Sequence, residues 1–410
     1  MANQIIVVGG GAAGFFAAIA AAEAGADVII LEKTARVLDK VRISGGGRCN
    51  VTHACFEPRD FATRYPRGQR ALLSPFSKFS ARDTVAWFAA RDVKLKTEND
   101  GRMFPTTDSS QTIVDCLMNA AQNAGVKIRL NCAVESAAKT ADGKFELTLA
   151  AGEKISGDQL LLATGGCRAA AAGQLAVSLG HTIEPPVPSL FTFQIESPWL
   201  RSLAGVSLAA AEVAVPTAKL RERGPLLVTH WGLSGPAILK MSAWGARALH
   251  DLNYQFPLLV NWLPDFSAEK IVKEFQARRE YSGAKLLVNV PLAPLTARLW
   301  EQLVLAAGIA RETRWAALTR AQIHALTQQL TRTEFTVAGK SLNKDEFVTC
   351  GGVKLTEVNF QTLGSKVCPG LFFAGELLDI DGITGGFNFQ AAWTTGFIAG
   401  KAMADFSGLP

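Results

Sequence analysis

Between Val41 and His53 the chain reads VRISGGGRCNVTH, with Ser44 and three glycines (Gly45, Gly46, Gly47) set against Arg48, Cys49 and Asn50. Glycine loses more backbone freedom on folding than any other residue, so such a run needs a conformation or a close approach that side chains forbid. Its neighbours carry chemistry. A cysteine flanked by an arginine is a candidate proton donor, its thiol tuned toward neutrality by the cation. The same cysteine is equally a small residue for a crowded turn. Arg48 is a cation for a phosphate or for charge developing on a carbonyl. Asn50 either bonds a ligand edge or closes an Asx turn. His53 is an alternative acid, or a loop histidine held by hydrogen bonds. Cys49, Arg48 and His53 are therefore the catalytic candidates.

What these residues act upon is indicated upstream, where QIIVVGGGAAGFFAAIAAAEAGADVIILEK runs from Gln4 to Lys33. An apolar strand (Ile5–Val8) meets Gly9-x-Gly11-x-x-Gly14, then an Ala-rich helix extends to about Ala24. Gly25 stops it, and a second strand (Val28–Leu31) ends at Glu32. Gly9 permits the tight turn, Gly11 lets backbone approach a pyrophosphate, and Gly14 brings helix and sheet together. The helix start offers free N–H groups and a positive dipole end to phosphates. Glu32 is spaced to accept ribose hydroxyls. This is a dinucleotide-binding βαβ unit. No second GxGxxG occurs between Thr34 and Gly370, which argues against a dedicated NAD(P)H domain.

The 410 residues include 42 Lys and Arg against 36 Asp and Glu, a net charge of +6 that suits an anionic ligand without naming one. Seven cysteines show no CxxC pair and no zinc spacing, so neither a disulfide framework nor a metal site is expected, and a reducing, cytoplasmic setting is the default. The uncharged stretch from Ile5 to Ala22 reads as strand, turn and helix rather than a signal or membrane segment, because the glycine cluster interrupts it. EPPVPSLF (Glu184–Phe191) has the proline content of a domain boundary. Strand-like runs FTFQI, AAEVAV and PLLVTH follow, then helical patterns over Ser267–Arg279, Leu295–Ala307 and Arg320–Leu330.

The distal segment PGLFFAGELLDIDGITGGFNFQAAWTTGFIAGKAMADF (Pro369–Phe406) resembles the closing FAD motif of two-dinucleotide-fold flavoproteins. There an acid at the strand end, here Glu376 or Asp379, takes a ribityl hydroxyl, and the last helix points its start at the flavin pyrimidine. GDQLLLATGG (Gly157–Gly166) resembles the ATG turn that such proteins carry beside the cofactor. SGGGRCNVT, GRMFP, ATGG, THWGLSGPAIL, TCGGV and the closing motif, in this order, resemble the BaiN/RdsA-like family of bacterial flavoproteins over nearly the whole chain.

The resemblance implies an α/β fold: a Rossmann-like FAD-binding domain of the two-dinucleotide-fold type, built from residues 1–188 and 350–410. It carries a small β-sheet extension at about 127–157 and an inserted mixed β-barrel and helical domain at 189–349. It implies FAD contacts from Gly9, Gly11, Ala12, Ala13, Gly14, Glu32, Lys33, Ser44 to Arg48, Asn50, Val134, Ala163, Thr164 and Gly165. Gly375, Glu376, Asp379, Gly385, Gly386, Phe387, Asn388 and Phe389 complete the set. The implied activity is an FAD-dependent oxidoreductase with NADH or NADPH as transient reductant, reducing a carbon–carbon double bond, with a uridine in ribosomal RNA as the favoured substrate. The family also implies an alternative, an oxidase or reductase of a small amine or steroid-like enone. Arg59, Arg64, Arg67, Arg70, Lys78 and Arg82, interleaved with Phe and Tyr in residues 56–83, form the candidate RNA contact. Three features depart from the family pattern: His53 in place of Asn, Phe387 in place of Tyr, and a shorter segment after Gly166.

Overall fold

The computed structural model describes residues 3–167, 170–341 and 348–405, and only the backbone of 170–172 and 341. Arg168 and Ala169, in the shortened segment after Gly166, lie outside the described residues. The chain divides into two compact units, one of Met1–Ser189 with Asn343–Pro410, the other Leu190–Leu342.

The first unit is organised by short apolar runs that can be buried on both faces, the pattern of a parallel sheet. Gln4–Val8, Asp27–Leu31, Gln159–Leu162, Leu371–Phe373 and Lys127–Arg129 pair in parallel, in the order 371–373, 159–162, 4–8, 27–31, 127–129. Two short antiparallel strands, Gly364–Ser365 and Val358–Asn359, complete seven strands. Lys127–Arg129 thus belongs to the main sheet, so the extension is smaller than its expected 127–157. It is an antiparallel meander of Val134–Lys139, Phe145–Leu149 and Lys154–Gly157. A further small sheet joins Thr52–His53 to Arg102–Pro105 and Leu95–Thr97.

The first helix, Ala12–Ala22, and the last, Phe387–Ala404, pack along one another. Their contact depends on small residues. A Cβ at Gly396 would lie 2.4 Å from the Ala13 carbonyl oxygen, and one at Gly400 2.2 Å from that of Ala17. The two chain ends therefore meet backbone to backbone.

Ile183–Ser189 pairs antiparallel with Val348–Val353, so the two passages of chain that bound the insertion lie side by side. Taken by itself, the second unit contains a closed six-stranded barrel of Thr192–Ile195, Gly232–Ser234, Leu220–Thr229, Ser207–Val215, Phe256–Asn261 and Thr333–Ser341. Its helices Ala268–Tyr281, Ala297–Ala306 and Arg320–Arg332 start where Ser267, Thr296 and Thr319 cap them. Thr296 thereby moves the second of these two residues beyond the expected start at Leu295. Trp300, Trp315 and Phe275 form their apolar centre.

His181 is buried in the first unit, with Nδ1 3.1 Å from Glu357 and Nε2 2.7 Å from the Ser365 hydroxyl. That hydroxyl already accepts the Val367 and Cys368 N–H groups, at 3.0 and 2.7 Å. Its own proton therefore goes to Nε2, and Nδ1–H donates to Glu357. Burial pulls the His181 pKa below 6.5, outweighing the Glu357 carboxylate.

Two outcomes follow from this packing. Helix propensity alone favours Gly400→Ala by about 1 kcal/mol, yet the new Cβ forces the helices apart. A net loss of about 1–3 kcal/mol is expected, seen as a lower melting temperature; an unchanged or higher one would refute the close contact. For His181, the unfolded ring gains its proton near pH 6.5 and the folded ring only at lower pH. Its stabilising contribution is complete above that value and falls away below it. Urea unfolding should show stability declining from about pH 7.5 to about pH 5.5, and declining less in His181→Gln. Equal slopes in the two proteins would exclude His181 as the cause.

Candidate functional site

Because the central strands run parallel, the loops after them emerge at one edge of the sheet, where α/β proteins bind ligands. The Gly9–Gly14 turn follows the first strand, Glu32 the second, Ala163–Gly165 the third and Gly375–Asp379 the fourth. They touch. A Cβ at Gly9 would fall 2.3 Å from the Ala163 carbonyl oxygen, at Gly14 2.0 Å from that of Gly9, and at Gly375 2.9 Å from the Ala13 Cβ. Asn131 and Cys132 donate backbone hydrogen bonds to Thr34 and Glu32, which brings the start of the Val134 strand beside the same edge, near the exposed Lys33.

The triple-glycine segment is fastened to the last helix. Helical backbone from Asp39 breaks at Ser44, whose ψ is 151°, and Gly45, Gly46 and Gly47 take φ values of 57°, 69° and 81°. Side chains avoid that left-handed region, which accounts for the run. The Asn50 carboxamide then accepts from the Gly386 N–H at 2.9 Å and donates to the Thr52 carbonyl at 3.0 Å. Thr52 donates to Gln390 at 2.6 Å, and the Trp393 indole to the Val51 carbonyl at 2.9 Å. Residues some 340 positions apart in sequence form one wall.

Within that wall the three catalytic candidates have environments other than expected. Cys49 is fully buried, at a φ of 61°, and burial pushes its thiol up to about 12 instead of toward neutrality. The Arg48 guanidinium does not offset this, because it is committed elsewhere: it donates to Glu98 at 2.6 Å, lies 3.6 Å from Asp108 and covers the Phe104 ring at 4.0 Å. A cation already matched by two carboxylates is poorly suited to neutralise a pyrophosphate or a carbonyl. His53 accepts the Cys55 N–H on Nδ1 at 3.1 Å, so its ring proton is on Nε2, bonded to the Asp100 carbonyl at 3.0 Å. The ring also stacks on Phe387, 4.9 Å between centroids. It has the environment of a hydrogen-bonded structural histidine, at the end of the short strand Thr52–His53.

The acids are held in place. Glu32 accepts from the Gly10 N–H at 2.8 Å and the Thr34 N–H at 2.9 Å, and competes with the nearer Arg36 carbonyl for the Thr34 hydroxyl proton, which leaves about one or two of a carboxylate's four acceptor positions. Glu376 accepts from the Thr349 N–H at 2.8 Å and from Lys40 at 2.7 Å. Lys40 is a cation at this edge that sequence reasoning missed; its only signal was a lysine just before the glycine run. Asp379 is half-buried in the same segment. Asn388 spends its side chain on Gly382, while Phe387 is buried and Phe389 stacks on Trp393.

The candidate RNA segment changes character as well. Phe61, Tyr65, Phe76 and Phe79 are core residues, and Phe56 lies beneath the Arg82 guanidinium, so the interleaved rings are not a stacking surface. Arg67 is paired with the buried Asp381. Arg59, Arg64, Arg70, Lys78 and Arg82 remain exposed.

These residues fit FAD. Gly11 and Gly386 have no side chain to cap the first and last helices, and although Asn50 takes the Gly386 N–H, the N–H groups of the first turns that follow are left for a ligand. A Cβ at Gly11, Gly46, Gly47 or Gly165 would meet nothing within 4 Å. The backbone there lines open space, as close approach to an extended anionic cofactor requires. Among the described residues, no group of His, Cys, Asp and Glu is placed to hold a metal ion, no helix is long and apolar enough to cross a membrane, and no disulfide joins the cysteines.

Fold and cradle together define an FAD-dependent oxidoreductase on a Rossmann-type scaffold. The pattern of the HI0933-like protein Rossmann domain matches residues 3–402, and the chain belongs to that family. It is 31% identical to a ribosomal RNA dihydrouridine synthase of Escherichia coli, over 92% of this chain and 91% of the relative. It is 29% identical to a 3-dehydro-bile acid delta(4,6)-reductase of Clostridium scindens, over 94% and 95%. Among solved structures, the 3-ketosteroid-delta4-(5alpha)-dehydrogenase of Rhodococcus jostii shares the fold with a TM-score of 0.53 at 14% identity, over 98% of this chain and 97% of that one.

The Cys49 environment is directly testable. Alkylation of the native protein followed by peptide mapping should leave Cys49 unmodified while the partly exposed Cys132 reacts. Labelling of Cys49 as fast as Cys132 would overturn the assignment of a buried, protonated thiol.

Proposed function

We propose that the chain reduces a carbon–carbon double bond with FAD as resident cofactor and NADH or NADPH as transient reductant, and that its substrate is a uridine in structured RNA. The observation that carries this reading is the pair of relatives aligned along more than nine-tenths of the chain. Dihydrouridine is uridine with one ring double bond saturated, and a delta(4,6)-reductase also acts on carbon–carbon double bonds, so the two names share one chemistry. FAD, when bound and reduced by NADH or NADPH, would supply a hydride from N5 to one carbon of the double bond, and the neighbouring carbon would take its proton from solvent.

The chain's own residues bind and orient. The Gly9–Gly14 turn and the start of the first helix hold the pyrophosphate by backbone N–H groups, and Glu32 receives a ribose hydroxyl in a remaining acceptor position. Glu376 and Asp379 face the ribityl chain. The start of the last helix, behind Gly385 and Gly386, brings positive potential to the pyrimidine side of the flavin, where negative charge accumulates on reduction. In this reading Cys49 shapes the turn and donates no proton, Arg48 braces the hairpin that carries Glu98, and His53 supports Phe387. Arg59, Arg64, Arg70, Lys78 and Arg82 meet RNA phosphates.

A second reading, an oxidase or reductase of a small metabolite, is favoured by the bile-acid reductase relative. The deciding measurement is mass spectrometry of ribosomal-RNA nucleosides from a gene-deletion strain, with the purified protein then added to that RNA under NADH or NADPH. Loss of a dihydrouridine on deletion and its restoration in vitro are expected, with Cys49→Ala retaining activity. Unchanged dihydrouridine, together with turnover of a steroid enone or amine-driven oxygen consumption unaffected by RNA, would replace the first reading with the second.

A further inference from the structure

The segment Arg64–Arg67 grips the loop that precedes the last helix at three points. The Arg64 carbonyl accepts from the Ile383 N–H at 2.9 Å. The buried Tyr65 hydroxyl donates to the Phe387 carbonyl at 2.5 Å, in the first turn of the last helix. Arg67 donates Nε to one Asp381 oxygen at 2.5 Å and a terminal nitrogen to the other, a bidentate pair. Arg67 and Asp381 also face each other as an isolated antiparallel bridge. Ser189 adds its hydroxyl to Asp381 at 2.6 Å, and Asn388 closes the loop on itself through the Gly382 N–H and carbonyl, at 2.8 and 2.9 Å.

Asp381 is entirely buried. Burial raises the Asp381 pKa and Arg67 opposes that, so losing the arginine leaves either an uncompensated charge or a protonated acid, and in both cases the fork that holds the loop is gone. The loop cannot move alone. Gly382 is in contact with Tyr65 and Phe387, since a Cβ there would meet their atoms at 3.1 and 2.9 Å. Displacing Asp381 therefore shifts Gly385, Gly386 and the uncapped start of the last helix.

We propose that Arg67 is a positioning residue of the cofactor site: through its buried pairing with Asp381 it fixes the loop that aims the last helix at the flavin. The inference rests on the FAD reading above. It removes Arg67 from the RNA-facing cations, and gives a residue outside every nucleotide motif a part in setting cofactor affinity and reduction potential.

The test uses the full-length protein stripped of flavin and titrated with FAD, followed by a potentiometric titration of the reloaded protein. Arg67→Met should weaken FAD binding about tenfold, the scale expected when a site's supporting contact is lost. It should also move the midpoint potential to more negative values, because a misaimed helix start stabilises the reduced flavin less. Arg67→Lys, which keeps the charge but not the fork, should recover part of both. Ser189→Ala, which leaves the ion pair intact, should give a smaller change in the same direction and covers the case in which Arg67→Met fails to fold. A lowered melting temperature with wild-type FAD affinity and potential would overturn the proposal and leave a merely structural ion pair. Failure of the wild-type protein itself to bind FAD would instead sink the cofactor reading on which the proposal stands.

Discussion

The rest of the cofactor edge depends on one contact, the backbone approach of the last helix to the first through Gly396 and Gly400 against Ala13 and Ala17. A helix start is a useful ligand site only if it is held where the ligand needs it. In the proposed cradle two such starts serve one molecule, and they come from opposite ends of the chain. Small residues let the axes close until carbonyl oxygens meet the glycine Cα atoms, which sets the spacing between Gly11 and Gly386. The triple-glycine segment then has a fixed surface to lie on, and Asn50, Thr52 and Val51 fasten it there.

Backbone roles were the legible part of this molecule. The parallel strands, the phosphate turn and the capped helices of the second unit follow from local rules: apolar runs, glycine spacing, a Ser or Thr before a helix. Ala163, Gly375 and Gly386 are also brought to the edge that the motifs implied, since each motif includes the strand or helix that places it. The extension was overdrawn at its start for a corresponding reason. Lys127–Arg129 is a short strand whose partner, 29–31, lies almost a hundred residues earlier, and nothing local marks that pairing.

Side-chain roles were less legible, and the misreadings share a cause. Arg48 beside Cys49 suggests a tuned thiol, but an arginine reaches far along its stem, and the carboxylates it meets stand on a hairpin some fifty residues away. Arg67 reads as one of six basic residues in a polar stretch, while its partner lies more than three hundred positions downstream. Tyr65 and Phe61 read as exposed rings for the same reason, because alternation of charge and aromatics is also how a helix pair covers a core. Sequence proximity describes a charge's neighbours poorly when the fold is built from both chain ends.

That pattern bears on how reactivity is arranged at the site. Each ionisable side chain of the glycine wall is matched within the protein: Arg48 by Glu98, His53 by a donor and an acceptor, Cys49 by burial that keeps its proton. A wall with no uncommitted acid or base presents mainly backbone amides and helix ends, whose partial charges do not titrate. Such electrostatics stay constant with pH and favour negative charge on a bound ring without competing for a proton. Specificity between an RNA uridine and a small enone then has to arise away from this wall, in residues that select what reaches it. This accounts for how relatives named for such different substrates can each align with more than nine-tenths of this chain.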